Sequence, residues 1–73
     1  GVTVNNIAPG VILTGRSRGI LADPVYAAKV MDQIPMSSFG KPEDIAELAL
    51  LLCGDRSRYI TGADIPVDGG MHL

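Results

Sequence analysis

The sequence is short of the residues that build stapled or metal-held folds. It has one cysteine, one histidine and no tryptophan. Cys53 alone cannot form a disulfide within the chain. With His72 also single, a Cys/His zinc centre lacks its ligands. Aromatic residues are limited to Tyr26, Phe39 and Tyr59, and the net charge is −2 with acids and bases mixed. No basic stripe with interleaved aromatics exists, so nucleic acid is excluded as an expected partner. The longest strongly apolar run, Leu48 to Cys53, is far too short to span a bilayer, so no membrane association is expected. No secretory signal is visible, and the expected setting is a reducing, cytoplasmic one. The chain opens on Gly1 rather than Met, which leads us to expect a fragment. A chain of this size buries only about 60% of its unfolded surface and is marginal without reinforcement.

What is present reads as alternating strand and helix. Val2 to Ala8 is rich in β-branched residues and is stopped by Pro9-Gly10, which predicts a strand ending in a sharp turn. Gly15 to Ala22 has no sustained period and reads as a loop or short helix. Asp23-Pro24 is a helix start, with Asp23 as N-cap and Pro24 in the first position. Val25, Ala28, Met31 and Ile34 give that helix an apolar stripe, and Pro35 ends it. A second helix begins at Pro42 with Lys41 at the cap. Glu43, Asp44 and Glu47 crowd its start, where the helix dipole favours carboxylates. From Ile45 to Leu52 the helix is apolar on nearly every face, which predicts cover on more than one side. Gly54 to Ser57 is a turn. Ala63 to Val67 is a last short strand, placed at an edge by Pro66 and closed by Asp68-Gly69-Gly70.

Two strands separated by about fifty helix-containing residues suit a parallel crossover. Two strands alone are not independently stable. The simplest physical reading is the last part of a larger parallel α/β sheet. In open sheets of that kind, ligands bind outside the carboxyl ends of the strands. That places attention on Pro9-Gly10-Val11-Ile12-Leu13-Thr14, a turn offering main-chain donors and one hydroxyl.

From Asn5 to Thr14 the chain resembles the short-chain dehydrogenase/reductase family, whose pattern there is an Asn-containing strand and then Pro-Gly-x-[Ile/Val]-x-Thr. The likeness continues through Ile34-Pro35-Met36, Phe39-Gly40-Lys41-Pro42-Glu43-Asp44-Ile45-Ala46, Tyr59-Ile60-Thr61-Gly62 and Val67-Asp68-Gly69-Gly70-Met71. The match is to the C-terminal portion of a Rossmann-type, doubly wound parallel sheet. The resemblance implies one piece of a single dinucleotide-binding domain: residues 1–14 as strand and nicotinamide-side turn, 15–40 as lid, and 41–73 as last helix and edge strand. It implies NAD or NADP as cofactor and hydride transfer with a small-molecule alcohol or ketone, with a sugar, polyol or sugar acid slightly preferred over an acyl-carrier ketoreductase substrate. It also implies a homo-oligomer, tetramer or dimer, of the full-length protein. Pro9 and Gly10 would lie under the nicotinamide ring. The Val11-Ile12 backbone would hold the carboxamide, and the Thr14 hydroxyl would reach the carboxamide or pyrophosphate. A neutral ring bearing an amide calls for main-chain donors and acceptors at close range, and glycine permits that approach.

The family's catalytic Tyr-x-x-x-Lys is absent: Tyr26 is followed at four residues by Val30, and Tyr59 by Ala63. Both tyrosines are expected to be packing residues, and no catalytic residue is assigned within the chain, Ser17, Ser37 and Ser57 included. A non-catalytic remnant or association module is therefore the rival reading. Val11 to Ile20 imitates a glycine-rich cofactor fingerprint, but Leu21 replaces its third glycine, and Asp23-Pro24 restarts structure too early for the long helix it needs. Arg16 and Arg18 read as solvated lid charges, with recognition of a substrate carboxylate or phosphate by a guanidinium as the alternative. Met31 reads as core filler, with Met36 and Met71 candidates for a substrate pocket. Cys53 reads as a buried small hydrophobe. Asp64 and Pro66 put regular pairing of the last strand in question.

Overall fold

The computed structural model describes residues 1–73. Its elements are β1 (Asn6–Pro9), α1 (Gly15–Leu21), α2 (Pro24–Asp32), α3 (Pro42–Leu52), a 3₁₀ turn (Asp55–Ser57) and β2 (Asp64–Val67). The two strands pair in parallel, with Asn6 opposite Asp64, Ile7 opposite Ile65, Ala8 opposite Pro66 and Pro9 opposite Val67. The α/β class and the parallel crossover are those read from the sequence.

Neither proline breaks the ladder, so the doubt raised by Asp64 and Pro66 is removed. The Asn6 N–H donates to the Ala63 carbonyl at 2.8 Å, and the Gly10 N–H donates to the Val67 carbonyl at 3.0 Å. Alternate residues of a strand donate to the same side, so Pro9's missing N–H falls on the edge away from β2. The ladder covers less of the first strand than expected. Before Asn6 one backbone bond remains, from the Gly62 N–H to the Val4 carbonyl at 2.7 Å, and side chains supply the other ties. The Asn5 Oδ1 accepts from the Ala63 N–H at 3.0 Å, and the Asn5 Nδ2 donates to the Ile60 carbonyl at 3.3 Å.

Of the two readings of Gly15 to Ala22, loop or short helix, the structure takes the helix, so three helices are present. Gly15–Leu21 is helical because Thr14 caps it. α2 starts as read, with the Asp23 Oδ1 accepting from the Val25 N–H at 3.0 Å. It ends at Asp32, short of Pro35, since the residue before a proline avoids helical angles and Ile34 must leave the helix first. Ile34 then turns inward and becomes the single buried apolar residue, 3% exposed. The predicted stripe is corrected accordingly: Val25 and Ala28 face solvent, while Ala27, Val30 and Met31 are half-buried.

α3 lies against one face of the sheet through Ile45, Leu48, Ala49 and Leu52, all half-buried at helical spacing. Its other side leaves Leu50 73% exposed. The opposite sheet face is open, with Val4 72% exposed. Three packing expectations fail for the same reason. Tyr26 and Tyr59 are exposed, and Cys53 is an exposed free thiol, because no layer lies above them.

The result is a slab with principal extents of 47 × 26 × 14 Å. Its radius of gyration is 14.4 Å, against about 11 Å for a compact domain of this length. Its accessible surface is 5598 Å², against about 4,300 Å² for a compact monomer of this mass.

Candidate functional site

The carboxyl ends of β1 and β2 open onto a turn, residues 9–14, that is pinned on three sides. On the first side, β2 holds Gly10 through the ladder. A Cβ placed on Gly10 would come within 2.5 Å of the Asp68 Cβ and 2.7 Å of its Cα, so only glycine allows this approach.

On the second side, Ile12 bridges Gly40. The Leu13 N–H donates to the Gly40 carbonyl and the Gly40 N–H to the Val11 carbonyl, each at 2.9 Å. A Cβ on Gly40 would meet the Ile12 Cδ1 at 2.5 Å, so this contact also depends on a glycine.

On the third side, Ser17 closes the turn from α1. The Ser17 Oγ donates to the Ile12 carbonyl at 2.6 Å and accepts from the Thr14 N–H at 2.8 Å. The Thr14 Oγ1 accepts from the Ser17 N–H at 3.2 Å, completing a reciprocal helix cap.

These bonds leave specific groups unspent. The Ile12 N–H has no partner within the chain, and its carbonyl, with two lone pairs, uses one on Ser17. Thr14 is exposed and its hydroxyl keeps capacity beyond the cap.

The sequence-predicted residues do not all face one hollow. Val11 lines a cleft of about 380 Å³ with Met36, Phe39, Gly40, Val67 and Asp68. Thr14 lines a separate depression with Arg18 and Lys41. Pro9 is exposed at the strand end, while Gly10 and Ile12 are half-buried in the turn itself. Of the methionines proposed for a pocket, Met36 lines the cleft and Met71 does not. Arg16 and Arg18 are exposed on α1. The imitation fingerprint dissolves, because α1 begins at Gly15 inside it.

Two features escaped sequence reading. Thr14-x-x-Ser17 is a capping spacing, but the usual box carries Glu or Gln at the second position. The other is a side-chain contact at the rim, where the His72 Nδ1 lies 2.9 Å from the Asp68 Oδ2. Burial resists ionisation of Asp68, whose side chain is 11% exposed. Bonds from the His72 ring and the Gly70 N–H, the His72 charge and the His72 N–H outweigh it, holding the carboxyl below its ordinary value. Their four-residue spacing was visible, but in a turn that spacing predicts no contact.

A parallel pair joined through helices, with an open glycine turn at its carboxyl end, fits one corner of a Rossmann-type sheet. Comparison with known proteins narrows the class. A family model described as Enoyl-(Acyl carrier protein) reductase matches residues 1–72. Cyclohexanol dehydrogenase of Rhodococcus sp. (strain TK6) is 49% identical over 71 residues, covering 97% of this chain and 26% of its own length. The rhamnolipids biosynthesis 3-oxoacyl-(acyl-carrier-protein) reductase of Pseudomonas aeruginosa is 43% identical over 72 residues, covering 99% of this chain and 28% of its own. The Pseudomonas aeruginosa RhlG/NADP active-site complex superposes with a TM-score of 0.82 at 44% identity, over 97% of this chain and 29% of that one. The chain belongs to the short-chain dehydrogenase/reductase family. It spans about a quarter of the length of the curated relatives it matches.

Proposed function

We propose that residues 9–14 form the nicotinamide-side wall of an NAD(P) site in an oxidoreductase that moves a hydride between nicotinamide and an alcohol or ketone. The observation that carries this is the unpaired Ile12 N–H, two residues from the Thr14 hydroxyl, in a turn whose Gly10, Leu13 and Thr14 N–H groups are already bonded. A carboxamide needs one donor and one or more acceptors. The Ile12 N–H supplies the donor, and the Ile12 carbonyl and Thr14 Oγ1 supply acceptors. Pro9 and Gly10 present a flat, side-chain-poor surface for a ring. The Val11 backbone lies between them and the carboxamide contacts. Bound nicotinamide would supply the hydride chemistry, and this chain's part is to orient and enclose it.

Residues 1–73 would be the C-terminal piece of one dinucleotide-binding domain, with 15–40 as a lid over the substrate and 41–73 as last helix and edge strand. The full-length protein would assemble as a dimer or tetramer. The tyrosine and lysine of the reaction would come from other parts of the domain, so the isolated chain would be inactive. Among substrates, the name of the Rhodococcus relative favours a cyclic alcohol; a sugar, polyol or sugar acid is the class the sequence resemblance suggests. A second reading, reduction of a 3-oxoacyl group on a carrier protein, is favoured by the name of the Pseudomonas relative. A third, a non-catalytic association module, rests on the absence of Tyr-x-x-x-Lys in the chain and the exposed Leu50 side of α3.

The test is Thr14→Val in the full-length protein. It removes a hydroxyl while nearly keeping shape. Cofactor affinity should fall by about 3- to 10-fold, the scale of one hydrogen bond. Unchanged affinity and turnover would remove Thr14 from the site.

A further inference from the structure

We infer that Ser17 is the positioning residue of this site, fixing the ligand-facing polar atoms of the turn without touching the ligand. The inference rests on the reading of residues 9–14 as the carboxamide-binding wall. Its physical basis is proton accounting at one oxygen. The Ser17 Oγ carries a single hydrogen, and the nearest acceptor, the Ile12 carbonyl at 2.6 Å, takes it. Its lone pairs then receive the Thr14 N–H at 2.8 Å and the Thr14 hydroxyl at 3.3 Å. One side chain therefore holds both ends of the segment that bears the free Ile12 N–H and the Thr14 Oγ1.

The division of labour follows from that geometry. Ser17 bonds the Thr14 N–H, which would otherwise compete with the Ile12 N–H for a carbonyl oxygen. It also fixes the plane of the Ile12–Leu13 peptide by gripping its oxygen, leaving the second lone pair outward. The 3.3 Å contact between the hydroxyls is the longest of the set, so the Thr14 hydroxyl is the group most easily released to a ligand. Ser17 is half-buried between exposed Arg16 and Arg18, so its hydroxyl faces the turn rather than water. Preorganised groups of this kind lower the cost of ordering on binding.

The experiment uses the full-length protein as wild type, Ser17→Ala, Ser17→Thr and Thr14→Val. Affinities are measured for NAD(P)H and for the matching ADP-ribose, which lacks the nicotinamide. Ser17→Ala should weaken NAD(P)H by about 3- to 10-fold, while ADP-ribose stays within about twofold. Ser17→Thr, which keeps the hydroxyl, should stay near wild type for both. Should Ser17→Ala fail to fold, Ser17→Cys replaces it, since a thiol is a weak donor and acceptor of similar shape, and the same selective loss is expected. An unchanged ratio of the two affinities in these variants overturns the inference. If Thr14→Val shifts the ratio and Ser17→Ala does not, the assignment of Ser17 fails alone. If neither shifts it, the carboxamide wall fails with it.

Discussion

At the scale of single residues, the site depends on small groups placed against backbone. Gly10 lies flush with Asp68, and Gly40 with Ile12. Asn5 replaces missing ladder bonds with its amide. Asp68 anchors the rim by accepting from the Gly70 N–H at 3.0 Å and the His72 N–H at 3.1 Å. Because the folded state lowers its pKa below the ordinary 3.8, the stability it contributes is complete above that value. The contribution is lost as pH falls through the lowered one. Denaturant midpoints of full-length wild type and Asp68→Asn should therefore differ at about pH 6 and converge towards about pH 3. A gap of constant size across that range would show that ionisation of Asp68 is not what matters. Caps such as Asp23 with Pro24 were legible in the sequence because their chemistry is local. Ser17 was not, since the usual capping box carries Glu or Gln at that position, and its third partner, Ile12, lies outside the helix.

At the scale of elements, helix starts were legible and helix ends less so. α3 begins after Lys41 as read, and the Asp44 Oδ2 accepts from the Lys41 N–H at 2.7 Å. Lysine has no acceptor to offer, so only this half of the cap forms. The far end of α3 depends on a residue the sequence did not single out. Ser57 is 2% exposed, and its Oγ bonds the Leu51 carbonyl at 2.8 Å and the Gly54 carbonyl at 3.2 Å. It covers carbonyls that a helix terminus leaves without intrahelical donors. Ser57→Ala removes that donor and should destabilise the full-length protein by about 1–3 kcal/mol. Thermal and denaturant unfolding would measure it, and a loss near zero would mean that water replaces the hydroxyl at no cost. The strands were legible as strands, but their lengths were not. A parallel ladder extends only as far as both partners, and β2 has four residues.

At the scale of the molecule, the sequence already announced a deficit of cover: an all-round apolar helix and two strands cannot bury one another. The structure gives that deficit a shape. A slab 14 Å thick has Ile34 as its one buried apolar residue and leaves Val4, Leu50 and Tyr59 in the open. Burial on this scale does not offset the entropy of ordering the chain. The isolated chain should therefore lack a cooperative thermal transition and show poorly dispersed amide resonances. A sharp two-state melt by circular dichroism would show that the slab stabilises itself. What no sequence pattern could supply was the pinning of residues 9–14 from three directions, because the three partners come from β2, Gly40 and α1. That pinning leaves the Ile12 N–H without a partner and the Thr14 hydroxyl with capacity beyond its bonds to Ser17, and it is the basis of the functional proposal.

A crystal structure of the full-length protein with NADP(H) or NAD(H) bound would show directly whether residues 9–14 hold the carboxamide. The carboxamide oxygen should lie about 2.7–3.2 Å from the Ile12 nitrogen, with the amide group directed at Thr14 Oγ1 or the Ile12 carbonyl. A nicotinamide seated elsewhere, with the Ile12 N–H bonded to protein or water, would contradict it.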